Sequence, residues 1–204
     1  MQNKRWFPRA GALRTPLRIL YWAPLGIVLT THWYNVRVIS GPSMQPTLNP
    51  EWSLSKDYAV FDKVAVLDKQ DCHRGDIITL KSPLDPKYKL IKRIVAEEGD
   101  TVKTLPPYPL KEVKIPQGYV WVEGDDPFNS DDSNMFGPVP RALIESKLVF
   151  LIWPPSRVGK LEEPKLPLSG TGPTFRRAMA AFERAHARQS RVTPAAKIVI
   201  PERV

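Results

Sequence analysis

The segment richest in possible chemistry is Ser40-Gly41-Pro42-Ser43-Met44-Gln45-Pro46-Thr47-Leu48-Asn49-Pro50. Gly41, Pro42 and Pro46 hold Ser43 in an irregular turn, which presents a hydroxyl beside backbone N–H groups, as acyl transfer requires. A serine hydroxyl is a poor nucleophile until a base takes its proton. The chain has 3 histidines, and none is well placed for this. His32 falls in an apolar stretch, His73 in a turn beside Arg74, and His186 in a basic tail. Lys92 is better placed. In Leu90-Ile91-Lys92-Arg93-Ile94-Val95, strand alternation sends it to the face opposite Ile91 and Arg93. Burial there disfavours the charged form, so the neutral amine accepts a proton near neutral pH. On the strand pattern alone, a solvent-exposed lysine is the commoner outcome.

The elements that must position these two residues follow from apolar periodicity. From about Val38 the pattern has period two. Tyr58–Leu67, Asp76–Leu80, Lys89–Val95, Thr101–Leu105, Tyr119–Glu123 and Lys147–Trp153 read as strands separated by Pro- and Gly-rich turns. The expected fold is mostly β, a sandwich or barrel of short antiparallel strands with little helix before residue 140. Thr174–Arg188 has helical spacing with Phe175, Met179 and Phe182 on one face. It reads as a partner or membrane-surface contact or, more plainly, as a solvated basic tail.

Ahead of the β region, Met1–Leu20 carries Lys4, Arg5, Arg9, Arg14 and Arg18 and no acidic residue. The following Ile19–Val36 has no charged side chain, and Trp22, Trp33 and Tyr34 lie near its ends. An apolar run with a basic flank and interfacial aromatics reads as a single membrane-spanning helix, although Pro24, Gly26 and His32 weaken the pattern. A cleaved signal or a buried core helix would share these features. The expected organisation is a basic segment at 1–17, a transmembrane helix at 18–37, a catalytic domain at 38–160 and a basic extension at 161–204. The folded domain would lie across the membrane from the basic N-terminus.

Ser43 within PSMQPTL, Lys92 within IKR ahead of EEGD, and the acidic run from Val122 to Pro140 resemble three ordered motifs of the type I signal peptidases. Members of that family are membrane-anchored Ser/Lys endopeptidases. SMQPTLNP, HRGDI, WVEGD, FGPV and LIWPP resemble its mitochondrial inner membrane branch, the subunit 2 type in particular. The resemblance covers about residues 36–155. It implies Ser43 as nucleophile and Lys92 as general base, with Ser130 orienting the lysine and Asp132 paired with Arg93. The Ser43 backbone N–H would be one oxyanion donor. A second donor in bacterial members is a serine hydroxyl at the position of Gly41, so a glycine N–H or water would have to substitute. An arginine that follows the acidic block in bacterial members is Asn134 here. The resemblance further implies a domain facing the intermembrane space and precursor proteins with sorting presequences as substrates. It also implies contact with inner membrane lipid and a heterodimer with a homologous catalytic subunit. Without it, Asn129-Ser130-Asp131-Asp132-Ser133-Asn134 is an ordinary Asx-rich turn.

Composition narrows the alternatives. The chain has 204 residues, a formal charge of +9 and 1 cysteine, Cys72, which excludes an intrachain disulfide framework and a zinc ribbon. One Cys and scattered His imply no metal centre, and no cofactor is expected. Positive charge gathers at the two ends while Glu123–Asp132 is acidic, with no basic groove interleaved with aromatics, so a nucleic-acid partner is not expected. A self-cleaving repressor lacks support, because no helix-turn-helix precedes the β region. A non-catalytic scaffold for a homologous partner has no need of both Ser43 and Lys92.

Overall fold

The computed structural model describes residues 14–28, 32–50, 53–66, 71–159, 161 and 172–195. Most of the basic N-terminal segment and parts of the basic extension therefore lie outside the described residues. The strands are β1 (Tyr34–Val38), β2 (Tyr58–Asp62), β3 (Ile77–Lys81), β4 (Lys89–Ala96), β5 (Thr101–Lys103), β6 (Glu112–Lys114), β7 (Tyr119–Glu123), β8 (Val139–Pro140), β9 (Ile144–Trp153) and β10 (Val192–Thr193). The helices are α1 (Arg14–Val28), α2 (Ser133–Phe136) and α3 (Pro173–Arg191). The fold is mostly β, as its periodicity predicts.

One sheet has seven strands in the order β1-β2-β9-β3-β4-β7-β8, and a smaller one runs β10-β5-β6. Every pairing between named strands is antiparallel. One buried cluster joins Ile39, Met44 and Leu48 to Phe61 and Leu151, beneath the Ser43 turn. A second holds Ile78, Leu80, Ile94 and Val122. A third is built around Trp121 and Ile115 under the small sheet. The second and third clusters pack the buried residues of β4 and β7, and Lys92 sits on β4.

The N-terminal region departs from the expected 18–37 helix. α1 is 15 residues long, about 22 Å at the helical rise, against a hydrocarbon core of about 30 Å. Among the described residues no helix is long and apolar enough to cross a membrane. Tyr34–Val38 is a strand instead, paired residue for residue with β2. Its alternation is inverted: Asn35 and Arg37 are half-buried while Tyr34, Val36 and Val38 face outward. An apolar run cannot by itself distinguish a helix end from an edge strand with an apolar outer face.

Two smaller differences have local causes. Val64–Val66 forms a 3₁₀ turn rather than continuing β2, because Asp62 Oδ1 accepts from the Val64 and Ala65 N–H groups at 2.7 and 3.2 Å. The expected helix near Thr174–Arg188 forms, but it docks on the domain. Ala181 and Arg188 are buried, and β10 continues from α3 to pair with β5.

Candidate active site

Between β1 and β2 the chain turns back on itself to deliver Ser43. Asn49 and Asp57 hold that turn reciprocally: Asn49 N–H donates to Asp57 Oδ2 and Asp57 N–H to Asn49 Oδ1, both at 2.7 Å. Asn49 Nδ2 also donates to the Ile39 carbonyl at 2.8 Å, and Gln45 Nε2 to the Asn49 carbonyl at 2.7 Å. Asn49 lies in the left-handed region, with φ 48°, which Asn tolerates better than most residues. Arg157 closes the assembly from below through Asp57 and the Thr47 carbonyl. Met44 and Leu48 anchor the turn in the core. Ser43 is thereby half-buried in the wall of a cleft of about 270 Å³, shared with Gly41, Met44, Leu90 and Ile91. Gly41 has φ +91°, a conformation that L side chains rarely adopt.

Lys92 comes from β4, an interior strand of the large sheet flanked by β3 and β7, and is 2% exposed. Its amine donates to Ser130 Oγ at 2.9 Å. Burial pushes its pKa down to about 8, against the opposing pull of the Asp132 and Asp131 carboxylates. The single Ser130 proton goes to Asp132 Oδ2 at 3.0 Å, so this hydroxyl accepts from the lysine and donates to the carboxylate. Asp132 caps the short helix α2 by accepting from Asn134 N–H, and it also accepts from Gly124 N–H at 3.1 Å.

Gly124 brings the two halves together. A Cβ there would lie 2.1 Å from Ser130 Oγ and 2.5 Å from the Ser43 carbonyl oxygen. Next to it, Asp126 N–H donates to that same carbonyl at 3.1 Å. Ser43 thus meets the Lys92–Ser130 pair through its main chain, while the lysine amine is hydrogen-bonded to Ser130 rather than to Ser43. A half-buried hydroxyl in the cleft wall lies on the same turn whose main chain meets a buried amine of lowered pKa and its serine partner. Such a constellation suits acyl transfer.

A family model described as signal peptidase, peptidase S26, matches residues 13–105 and 103–153. The chain belongs to the S26 signal peptidase family. It is 38% identical over 156 residues to mitochondrial inner membrane protease subunit 2 of Saccharomyces cerevisiae, covering 74% of this chain and 88% of that one. The subunit 2 protein of Schizosaccharomyces pombe is 41% identical over 145 residues, 71% of this chain and 78% of its own. Subunit 1 of the same yeast is 34% identical over 145 residues, 71% of this chain and 90% of its own. The peptidase class and the likeness to mitochondrial inner membrane proteases therefore rest on most of the chain.

Within this S26 domain one expected pairing is wrong. Arg93 does not pair with Asp132. It binds Asp125 through Nη2 at 2.8 Å and Nε at 3.1 Å. The reason is register: Arg93 stands opposite Glu123, the last residue of β7, so its guanidinium meets the chain just beyond that strand. Asp132 has meanwhile folded back as a helix cap, and its arginine is Arg184 of α3, at 2.9 Å. Asn134, where bacterial members have arginine, bridges Glu123 and Asp132 through Nδ2 at 3.2 and 3.0 Å.

Glu123, Asp125 and the arginines of α3 were not expected at the site. Glu123 and Asp125 are fully buried. Burial raises the pKa of each, but arginine contacts outweigh it and hold both at about 2: chiefly Arg191 for Glu123 and Arg93 for Asp125. The available signal was the spacing of Arg184, Arg188 and Arg191, which puts three guanidinium groups on one helical face. His73 is solvent-exposed beside Glu97, and His186 stacks on Phe182, so neither joins the site. A larger cleft of about 350 Å³, between α3 and β4, is lined by Arg74, Arg93 and Arg188 and does not include Ser43.

Proposed function

We propose that this S26 peptidase is a membrane-associated serine endopeptidase in which Ser43 is the nucleophile and Lys92 the general base. Its substrates are precursor proteins whose sorting presequences are removed at the mitochondrial inner membrane, on the intermembrane-space side. Its partner is a homologous subunit, in keeping with relatives named subunit 1 and subunit 2. The observation that carries the reading is the buried Lys92 amine hydrogen-bonded to Ser130, which lies against the Ser43 main chain around Gly124.

The chemistry follows in two stages. An extended substrate lies in the cleft along Lys89–Ile91, which continues past the last residue paired with β7 and so has main-chain groups to offer. Neutral Lys92 takes the Ser43 proton as Oγ attacks the scissile carbonyl carbon. The resulting oxyanion is held by the Ser43 N–H, with the Gly41 N–H or water as second donor. The Lys92 ammonium protonates the leaving amine, and the C–N bond breaks to give an acyl-enzyme. Water, deprotonated by the same amine, then hydrolyses the Ser43 ester. Ser130 keeps the lysine pointed at the reaction by accepting one of its hydrogen bonds.

Membrane association is supported by one continuous outer face. Val36, Val60 and Phe150 stand in a row across β1, β2 and β9, with Val38, Tyr58 and Trp153 beside them. Tyr21, Trp22 and Leu25 of α1 are also exposed. Exposed apolar area of this extent on a soluble domain marks a binding or lipid surface.

Ser43→Ala removes one oxygen, and Lys92→Met removes the amine while keeping an apolar stem. Each should abolish maturation of this subunit's precursors, followed by gel mobility in mitochondria. The double variant should be no worse, since a nucleophile and its base act as a unit. Normal processing in Ser43→Ala mitochondria would leave a scaffold role in its place.

A further inference from the structure

The arginines of α3 occupy a place that the site needs filled. Three carboxylates, Glu123, Asp125 and Asp132, are buried within a few residues of Ser130. Arg93 supplies one cation from the β domain, to Asp125. Every ion pair described for Glu123 and Asp132 comes from α3: Arg184, Arg188 and Arg191 to Glu123, and Arg184 to Asp132. α3 begins at Pro173, beyond residue 153 where the family match ends. The helix is held at its far end as well. Arg191 donates to the Lys103 carbonyl at 3.1 Å, β10 pairs with β5, and Ala195 N–H donates to Asp100 at 2.9 Å.

We propose that α3 is a built-in clamp on the catalytic base, with Arg184 a positioning residue that acts on Lys92 through Asp132 and Ser130. The path is continuous. Arg184 Nη2 lies 2.9 Å from Asp132 Oδ2, that oxygen accepts from Ser130 Oγ at 3.0 Å, and Ser130 accepts from Lys92 Nζ at 2.9 Å. The same carboxylate oxygen accepts from Gly124 N–H, so one guanidinium steadies both the relay serine and the glycine that touches Ser43. Arg184 Nε also reaches Glu123 at 3.4 Å, bridging the last residue of β7 to the loop that follows. Without Arg184 a carboxylate 2% exposed would keep only hydrogen bonds and no cation, and the loop would relax towards water to relieve it. Arg184 acts on the lysine in a second way. Its positive charge opposes a proton on Lys92, and its loss would leave the Asp132 charge free to favour one.

This inference rests on the assignment of Ser43 and Lys92 made above, and the test separates the two. Full-length chain in its own membrane, with its partner subunit, is assayed on precursor across pH for wild type, Arg184→Gln, Arg184→Lys, Arg191→Gln and Ser43→Ala. Arg184→Gln should lower kcat about 10- to 100-fold, as a displaced catalytic group does, with KM unchanged and the rising limb of the pH–rate curve moved to higher pH. Arg184→Lys, which keeps the charge but not the bridge, should lose only a few-fold in kcat by the same reasoning and keep the limb in place. Arg191→Gln removes a pair from Glu123 without touching Asp132, so it should lower thermal stability and leave the limb unmoved. An Arg184→Gln protein with wild-type kcat, or with reduced kcat and an unmoved limb, would overturn the clamp. Should that variant fail to accumulate, wild-type kcat in Arg184→Lys would overturn it instead. Cleavage that persists in Ser43→Ala removes the dyad. Cleavage that needs Ser43 but ignores Arg184→Gln removes only the clamp.

Discussion

At the scale of single residues, the proposed mechanism depends on the cost of keeping Lys92 out of water. Burial brings its pKa from 10.5 to about 8, so a useful fraction is already neutral at physiological pH. Cleavage should therefore rise with pH through about 8 and then level, as measured by initial rates on a precursor peptide. A histidine base would level earlier. The same shift has a stability consequence. Because the folded pKa lies below the unfolded one, the unfolded chain holds the extra proton between about 8 and 10.5, and stability rises with pH across that window. A shift of this size amounts to roughly 3 kcal/mol withheld from the fold at neutral pH. Lys92→Met should consequently be inactive yet melt no lower than wild type at pH 7. An inactive protein with a sharply lower Tm would mean that the amine is structural.

The elements meet at Gly124, where β7 gives way to the acidic loop. An added methyl would overlap Ser130 Oγ and the Ser43 carbonyl, and neither can retreat without breaking a hydrogen bond on the path to Lys92 or to Asp126. Gly124→Ala should reduce kcat by about 100-fold or more while α3 stays docked, read as activity against amide exchange of the helix. Acid acts on the same junction. Glu123 and Asp125 titrate near 2 in the folded state, below their ordinary values of 4.5 and 3.8. Depressed carboxylates contribute stability that is present above the unfolded pKa and is lost as pH falls through the folded one. The docking of α3 should thus hold at pH 5 and weaken between about 4.5 and 2, followed by circular dichroism and protease sensitivity of residues 173–191.

For the molecule as a whole, the unusual feature is that buried carboxylates and cations gather around Lys92 while apolar side chains cover one exterior face. Phe150 and Trp153 are 36% and 46% exposed, so replacing each with Ser should cost about 2 kcal/mol for the packed half of the ring. The same pair of changes should reduce flotation of the chain with phospholipid vesicles and slow cleavage of membrane-bound precursor, while leaving cleavage of a short soluble peptide unchanged. Equal flotation of the variant and wild type would remove this face from the membrane contact. The face borders β1, which also lines the cleft through Arg37 and Val38. A membrane on that side would lie beside the mouth of the cleft.

Local pattern alone located β3, β4 and β7, because period-two alternation is a property of consecutive residues. It also located the Ser43 turn, through Gly41, Pro42 and Pro46, but on its own favoured an exposed Lys92, whose burial only the packed sheet decides. What it could not determine was which charge meets which. Arg93 pairs with Asp125 because β4 and β7 align Arg93 with Glu123, and no spacing within either segment encodes that register. Tyr34–Val38 merged with the preceding apolar run because hydropathy records composition and not the presence of β2 alongside. The basic tail looked solvated because the arginines of α3 far outnumber that helix's one acidic residue, Glu183. Their partners are Glu123, Asp125 and Asp132, at least 52 positions away, and a buried carboxylate attracts a guanidinium by distance in space rather than along the chain.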